Sequence, residues 1–254
     1  MSARLTTTVL AISTAAFLGA CDKKPAPAPL TVSVPPPQLS SEQAQRRERT
    51  RQIVESESIP FNKHLPGVEP SSEAKLRTPE EIASRAIGLT VIAALAHGVT
   101  KQDLEGRLKP SDIRSVLTPK ELAFYDSPSP TDQQRHKFSW CIEGAQVLVW
   151  ALGLLPLDSP RPDKECDVQA IDRLVCTLNR DGMAAKSKLR STNEILDAVD
   201  LHYCYHWAIV DEVQIHNRPA PGGLDPGVSY ERLRALNWLI HYMDADWDDV
   251  TTDT

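Results

Sequence analysis

Apolar residues are spread unevenly along this chain, and their spacing changes several times. A run free of charge extends from Leu5 to Ala20. Residues 23–40, KKPAPAPLTVSVPPPQLS, hold six prolines and scarcely an apolar cluster. Residues 42–57, EQAQRRERTRQIVESE, are strongly charged and offer few core candidates. Proline fixes φ and removes a backbone donor, so 23–40 is expected to be an extended, solvated spacer. The charged stretch can form a helix, but one without an apolar stripe gains little from packing. With the polar, proline-containing residues that follow, 21–77 is expected to be a linker.

From Thr78 the pattern turns helical. Thr78-Pro79-Glu80-Glu81 joins an N-cap threonine, a proline at the first helical position and a glutamate three residues after the cap. Ile82, Ala86, Leu89, Ala93 and Ala96 then recur on one face, and Gly98 ends the helix. Thr118-Pro119 starts a short helix through Leu122 and Phe124, stopped by Pro128 and Pro130. Thr131 caps a long one whose heart, FSWCIEGAQVLVWALGLL from Phe138 to Leu155, is apolar on almost every face. Such a helix belongs in the middle of a domain. Asp167 caps a helix bearing Ile171, Leu174, Val175 and Leu178, and Ser191-Thr192-Asn193-Glu194 opens another to about Asn217. Asp225-Pro226 begins the last, with Leu233, Leu236, Ile240 and Met243 on one side. Alternating β patterns are absent. The expectation is all-α: a single compact multi-helix domain over 78–254, preceded by a signal peptide (1–20) and a Pro-rich linker.

The signal peptide rests on the front end. Arg4 and the amino terminus precede the apolar run, which at 16 residues is short for a membrane span. Its end, Leu18-Gly19-Ala20-Cys21, resembles the lipobox of bacterial lipoproteins. The resemblance implies cleavage before Cys21 and a diacylglycerol on its sulfur. The expected address is the bacterial cell envelope, with the chain anchored to a membrane (inner or outer) through Cys21 and facing the periplasm. An ordinary signal peptide with an incidental cysteine is the plainer alternative.

Composition narrows the class. The 254 residues carry 28 basic and 34 acidic side chains, a net charge of -6. Loss of Arg4 with the signal peptide takes this to -7, which argues against a nucleic-acid partner. Besides Cys21 there are Cys141, Cys166, Cys176 and Cys204. On one helix Cys166 and Cys176 would lie about 15 Å apart, too far for a disulfide. No phosphate loop, dinucleotide fingerprint or GxSxG elbow is present, and Ser72-Glu73-Ala74-Lys75 matches SxxK only within the linker. The terminal acids Asp244, Asp246, Asp248 and Asp249 lack the glycine and glutamate of a calcium loop. A terminal turn is expected there, with Trp247 plugging a gap.

His202 and His206 are four apart and leave one helix face together. They are candidate zinc ligands, but a site needs a third, for which Glu143 and His241 are the candidates. The face is also a core stripe, so the reading preferred over a metal site is two buried histidines hydrogen-bonded to partners such as Glu143 or Arg232. Glu143, sunk in the apolar helix, is either a carboxylate of raised pKa or one paired with Arg232 or a histidine. Glu231, Arg232, Asn237 and Trp238 add polar groups to the last helix. The candidate polar site is therefore Glu143, His202, His206, Glu231 and Arg232, as a pocket floor or as an internal network.

Three stretches, FSWCIEGAQVLVWALGLL, LRSTNEILDAVDLHYCYHWA and DPGVSYERLRALNWLIHYMDADWDDVTTDT, together resemble the bacterial domain-of-unknown-function family 4272. The resemblance implies an α-helical module without an established activity, substrate or cofactor, and it supplies no catalytic residue. The first functional expectation is a lipid-anchored module that binds an envelope protein or small ligand and needs no cofactor. The second is a metal-dependent hydrolase using His202, His206 and a carboxylate such as Glu143.

Overall fold

Helix starts in this chain carry a recurring chemistry. Ser40, Thr78, Thr118, Thr131 and Ser191 each accept a hydrogen bond from the backbone N–H three residues on. The Glu or Gln found there accepts one from the cap's own N–H. Each box satisfies two donors that a helix start otherwise leaves open. The computed structural model describes residues 38–108, 110–157 and 160–254. Cys21 and the proline tether through Pro37 lie outside them.

The helices are α1 (Ser41–Ser56), α2 (Pro79–Ala96), α3 (Lys101–Arg107), α4 (Pro110–Val116), α5 (Pro119–Asp126), α6 (Asp132–Ser139), α7 (Cys141–Ala151), α8 (Val168–Lys186), α9 (Thr192–Ile209) and α10 (Pro226–Leu239). No strand occurs among the described residues. The all-α expectation is met. α7 lies between α2 and α10, α10 packs on α9, and α8 covers another side of α2. Every residue of α7 from Cys141 to Val149 is buried, as its all-round apolar sequence requires. The main core gathers Ile82, Leu89, Ile92, Val147, Leu148, Ile171 and Leu236.

Several features depart from the sequence reading. The long helix expected after Thr131 is two helices meeting at Trp140, where a tight turn links Glu143 N to Trp140 O. α8 is interrupted at Asn179 (φ 50°), whose Oδ1 caps the restart by accepting from Gly182 N. α10 stops at Leu239, so Met243 is not on its core face but 76% exposed. His241, Met243 and Asp244 all take positive φ, a costly conformation for residues other than glycine. That turn sends the chain back beneath α10, where Trp247 is buried edge-on to Trp238 at 5.8 Å. The gap-filling role expected of Trp247 is what the structure shows.

Residues 41–77 differ most from expectation. They are packed onto the domain rather than held away from it. α1 lies along α9 and buries Arg46, Arg47, Thr50 and Val54. Val54, Ile59 and Leu65 join Leu201, Cys204, Tyr205 and Ile209 of α9 in a second small core. Arg46 donates to Asp197 Oδ1 at 3.0 Å and to Glu69 O at 3.3 Å. The seam is closed by arginines whose apolar stems pack while their heads pair, so it leaves no apolar stripe to read.

Candidate functional site

Glu143 and Arg232 meet where α7 crosses α10, both at 0% exposure. Glu143 Oε2 accepts from Arg232 Nε at 3.0 Å and stands 2.9 Å from Nη2; Oε1 accepts from Cys166 N at 2.7 Å. Arg232 Nη2 also donates to Lys164 O at 3.3 Å. Both carboxylate oxygens are thus engaged, and the group ties the α7–α8 connection to the helix crossing. A buried pair engaged in this way holds the register of the two helices. This is the structural pairing that the sequence left as one of two readings.

His202 and His206 share the α9 face that turns toward α10, and both are buried. Neither Nδ1 has a hydrogen-bond partner, so the expected bond to Glu143 or Arg232 through that atom is not made. Burial holds His202 down to about 3, helped by the positive charge of Arg232 and by His206, and holds His206 at about 4. Both rings are neutral at physiological pH. His202 also reaches a largely apolar cavity of about 450 Å³ between α1 and α9, walled by Ile53, Trp150, Leu157 and Leu201. Among the described residues no three His, Cys, Asp or Glu side chains are grouped to hold a metal ion. His241 sits at the left-handed turn beyond α10.

Glu231 parts from its neighbour Arg232, because successive helix residues point about 100° apart. It is buried beside Arg234, 3.6 Å away, with Oε2 making no hydrogen bond, and burial raises its pKa. Burial likewise pushes the Cys141, Cys166 and Cys176 thiols up, and the Cys204 thiol up to about 12. A nucleophilic cysteine needs the opposite shift, so these thiols have core character.

The arrangement least visible in the sequence lies at the other end of α2. A cavity of about 620 Å³ opens between α2, the α4–α5 connection and the C-terminal turn. That volume falls inside the range of about 300–1,000 Å³ usual for small-molecule sites. Trp238 and Trp247 form one wall, with Arg77 stacked 4.7 Å from the first ring and Arg234 4.5 Å from the second. Arg85, 6% exposed, lies 5.1 Å from the Trp247 ring and pairs with Glu121, itself 1% exposed. Arg85 Nη2 donates to Glu121 Oε2 at 2.6 Å, and Thr118 N donates to the same oxygen at 2.9 Å. Arg85 Nε and Glu121 Oε1 are buried and bond to nothing.

Gly88, one turn after Arg85, makes this possible. A Cβ there would stand 2.2 Å from Arg85 Nη2 and 2.6 Å from the Val116 carbonyl. Asp248 closes the far side by accepting from Thr118 Oγ1 and Lys120 N at 2.8 and 3.1 Å. One signal for this site was present in the sequence: Arg85 stands three residues after Ile82, on the shoulder of an apolar stripe. Glu121 carried no such mark, and Trp247 was legible only as a gap-filling residue of the terminal turn.

Residues 46–250 match the family model described as Domain of unknown function (DUF4272). No curated protein and no solved structure matches the chain.

Proposed function

The chain belongs to the DUF4272 family, a domain of unknown function, and from that premise we propose a lipid-anchored binding module of the bacterial cell envelope. Cys21 carries the lipid and residues 23–40 hold the domain off the membrane. The ligand is a small molecule taken into the Trp247 cavity. The observation that carries this reading is Arg85, a buried guanidinium that lines the cavity with most of its donors uncommitted. Leaving such a group unsatisfied costs about 1–3 kcal/mol, which a bound ligand offsets. Glu143, the acid a hydrolase would need, is spent on Arg232 and Cys166 N.

Two measurements test the reading. Growth with a tagged fatty acid is expected to label the full chain and to leave Cys21→Ala unlabelled; an unlabelled wild type contradicts the anchor. Small molecules of the envelope incubated with the full chain are expected to raise its Tm and to be recovered chemically unchanged. Conversion of the bound compound would contradict a pure binding role.

A further inference from the structure

The charges lining the Trp247 cavity are not equally free, and their bookkeeping defines a ligand. Arg77 is committed to three acceptors: Trp238 O, Ala245 O and Glu81. Glu81 also closes the α2 capping box, and Asp248 is held by Thr118 and Lys120. Arg180 pairs with its neighbour Asp181 at 2.9 Å. Asp249 faces Lys120 at 3.6 Å. What remains is one deep guanidinium, ion-paired to buried Glu121 but with donors to spare, and two outer carboxylates. The cation is Arg85, whose hydrogen-bond partner among the described residues is Glu121, through one of five N–H donors. The carboxylates are Glu80 and Asp246, exposed at the rim without a hydrogen-bond or ion-pair partner among the described residues.

We propose that this cavity binds a zwitterion of the amino-acid or short-peptide class, with its carboxylate on Arg85 and its ammonium group between Glu80 and Asp246. The proposal rests on the binding reading given above and names the ligand class for the same site. Two features of the geometry favour it over a plain anion. An acidic rim repels an anion that brings no positive charge, whereas a zwitterion meets both signs in the order the cavity presents them. A planar carboxylate also matches the guanidinium fork, in which Nη1 and the second Nη2 hydrogen are left over by Glu121. The indole edges of Trp238 and Trp247 supply an apolar wall for the carbon skeleton between the two charges.

The test is calorimetric titration of the full-length chain with Ala-Ala and Lys-Ala, beside N-acetyl-Ala-Ala, Ala-Ala-amide, acetate and inorganic phosphate. The zwitterionic peptides are expected to bind, and removing either end charge to weaken binding at least tenfold. Glu80→Gln with Asp246→Asn, both at the exposed rim, is expected to abolish the preference for the free amine and to keep the fold. Arg85→Lys is expected to lose the preference for the free carboxylate. If the acetylated peptide or phosphate binds as well as Ala-Ala, the zwitterion is overturned while the cavity stands as a binding site. If no probe binds to the folded chain, the zwitterion is overturned. The binding reading itself falls only if envelope small molecules also leave Tm unchanged.

Discussion

Asp200 on α9 accepts both Nε and Nη2 of Arg47 on α1 at one oxygen, at 3.0 and 2.7 Å, and the pair is buried. Arg47 also donates to the carbonyls of Leu65 and Pro66, so one side chain ties α1, the following segment and α9 together. Removing one partner strands a buried charge. Asp200→Ala is expected to cost about 3–5 kcal/mol in urea unfolding, and Arg47→Met with Asp200→Leu to restore much of it. A loss below about 1 kcal/mol for the single variant would contradict the seam.

The same contacts set the N-terminal limit of the folding unit. A chain starting at residue 78 lacks Val54, Ile59 and Leu65 and uncovers Leu201, Cys204 and Tyr205. It is expected to lose the sharp unfolding transition and to bind a hydrophobic dye. A cooperative transition at the parent's urea midpoint would show that α1 is dispensable.

The core helices were legible because their information is local. Thr78, Thr118, Thr131, Ser191 and Asp225 announce starts by caps, and Gly98 closes α2. α1 was legible as a helix but not as part of the domain, since its buried residues include two arginines paired to acids about 150 positions away. Glu143 and Arg232 could be singled out, as charges on apolar helices, and they proved to be partners. The Arg85–Glu121 pair could not, because Glu121 reads first as the closing residue of a capping box. It serves both purposes, and only the fold brings α2 beside α5.

The buried histidines give stability a defined pH dependence. His202 is held at about 3 and His206 at about 4, against 6.5 for an exposed ring. Groups whose folded pKa is depressed contribute fully above the unfolded value and lose that contribution as pH falls, because the unfolded chain then binds more protons. Below pH 6.5 each histidine is expected to remove about 1.4 kcal/mol per pH unit until its folded value is reached. His202→Gln with His206→Gln is expected to flatten the slope between pH 6.5 and 5 in urea titrations. An unchanged slope would contradict neutral burial of the two rings.

Trp247 joins the C-terminal turn to the cavity. Its ring meets Trp238, Arg85 and Arg234, and its carbonyl accepts from Arg234 Nη2 at 2.9 Å. Trp247→Ala is expected to cost about 3–5 kcal/mol and to weaken ligand binding with it. Trp247→Phe retains a ring for both arginines and is expected to recover most of the stability. Equal losses in the two variants would show that the ring does not seat the arginines.

The claim that the cavity beneath Arg85 is the binding site is tested most directly by the five indole N–H signals of the full chain. They belong to Trp140, Trp150, Trp207, Trp238 and Trp247, of which the last two wall this cavity and Trp150 walls the other. In an NMR titration with Lys-Ala, the Trp238 and Trp247 signals are expected to move saturably while those of Trp140, Trp150 and Trp207 stay in place. Movement at Trp150 alone, or at none of the five, would contradict the account.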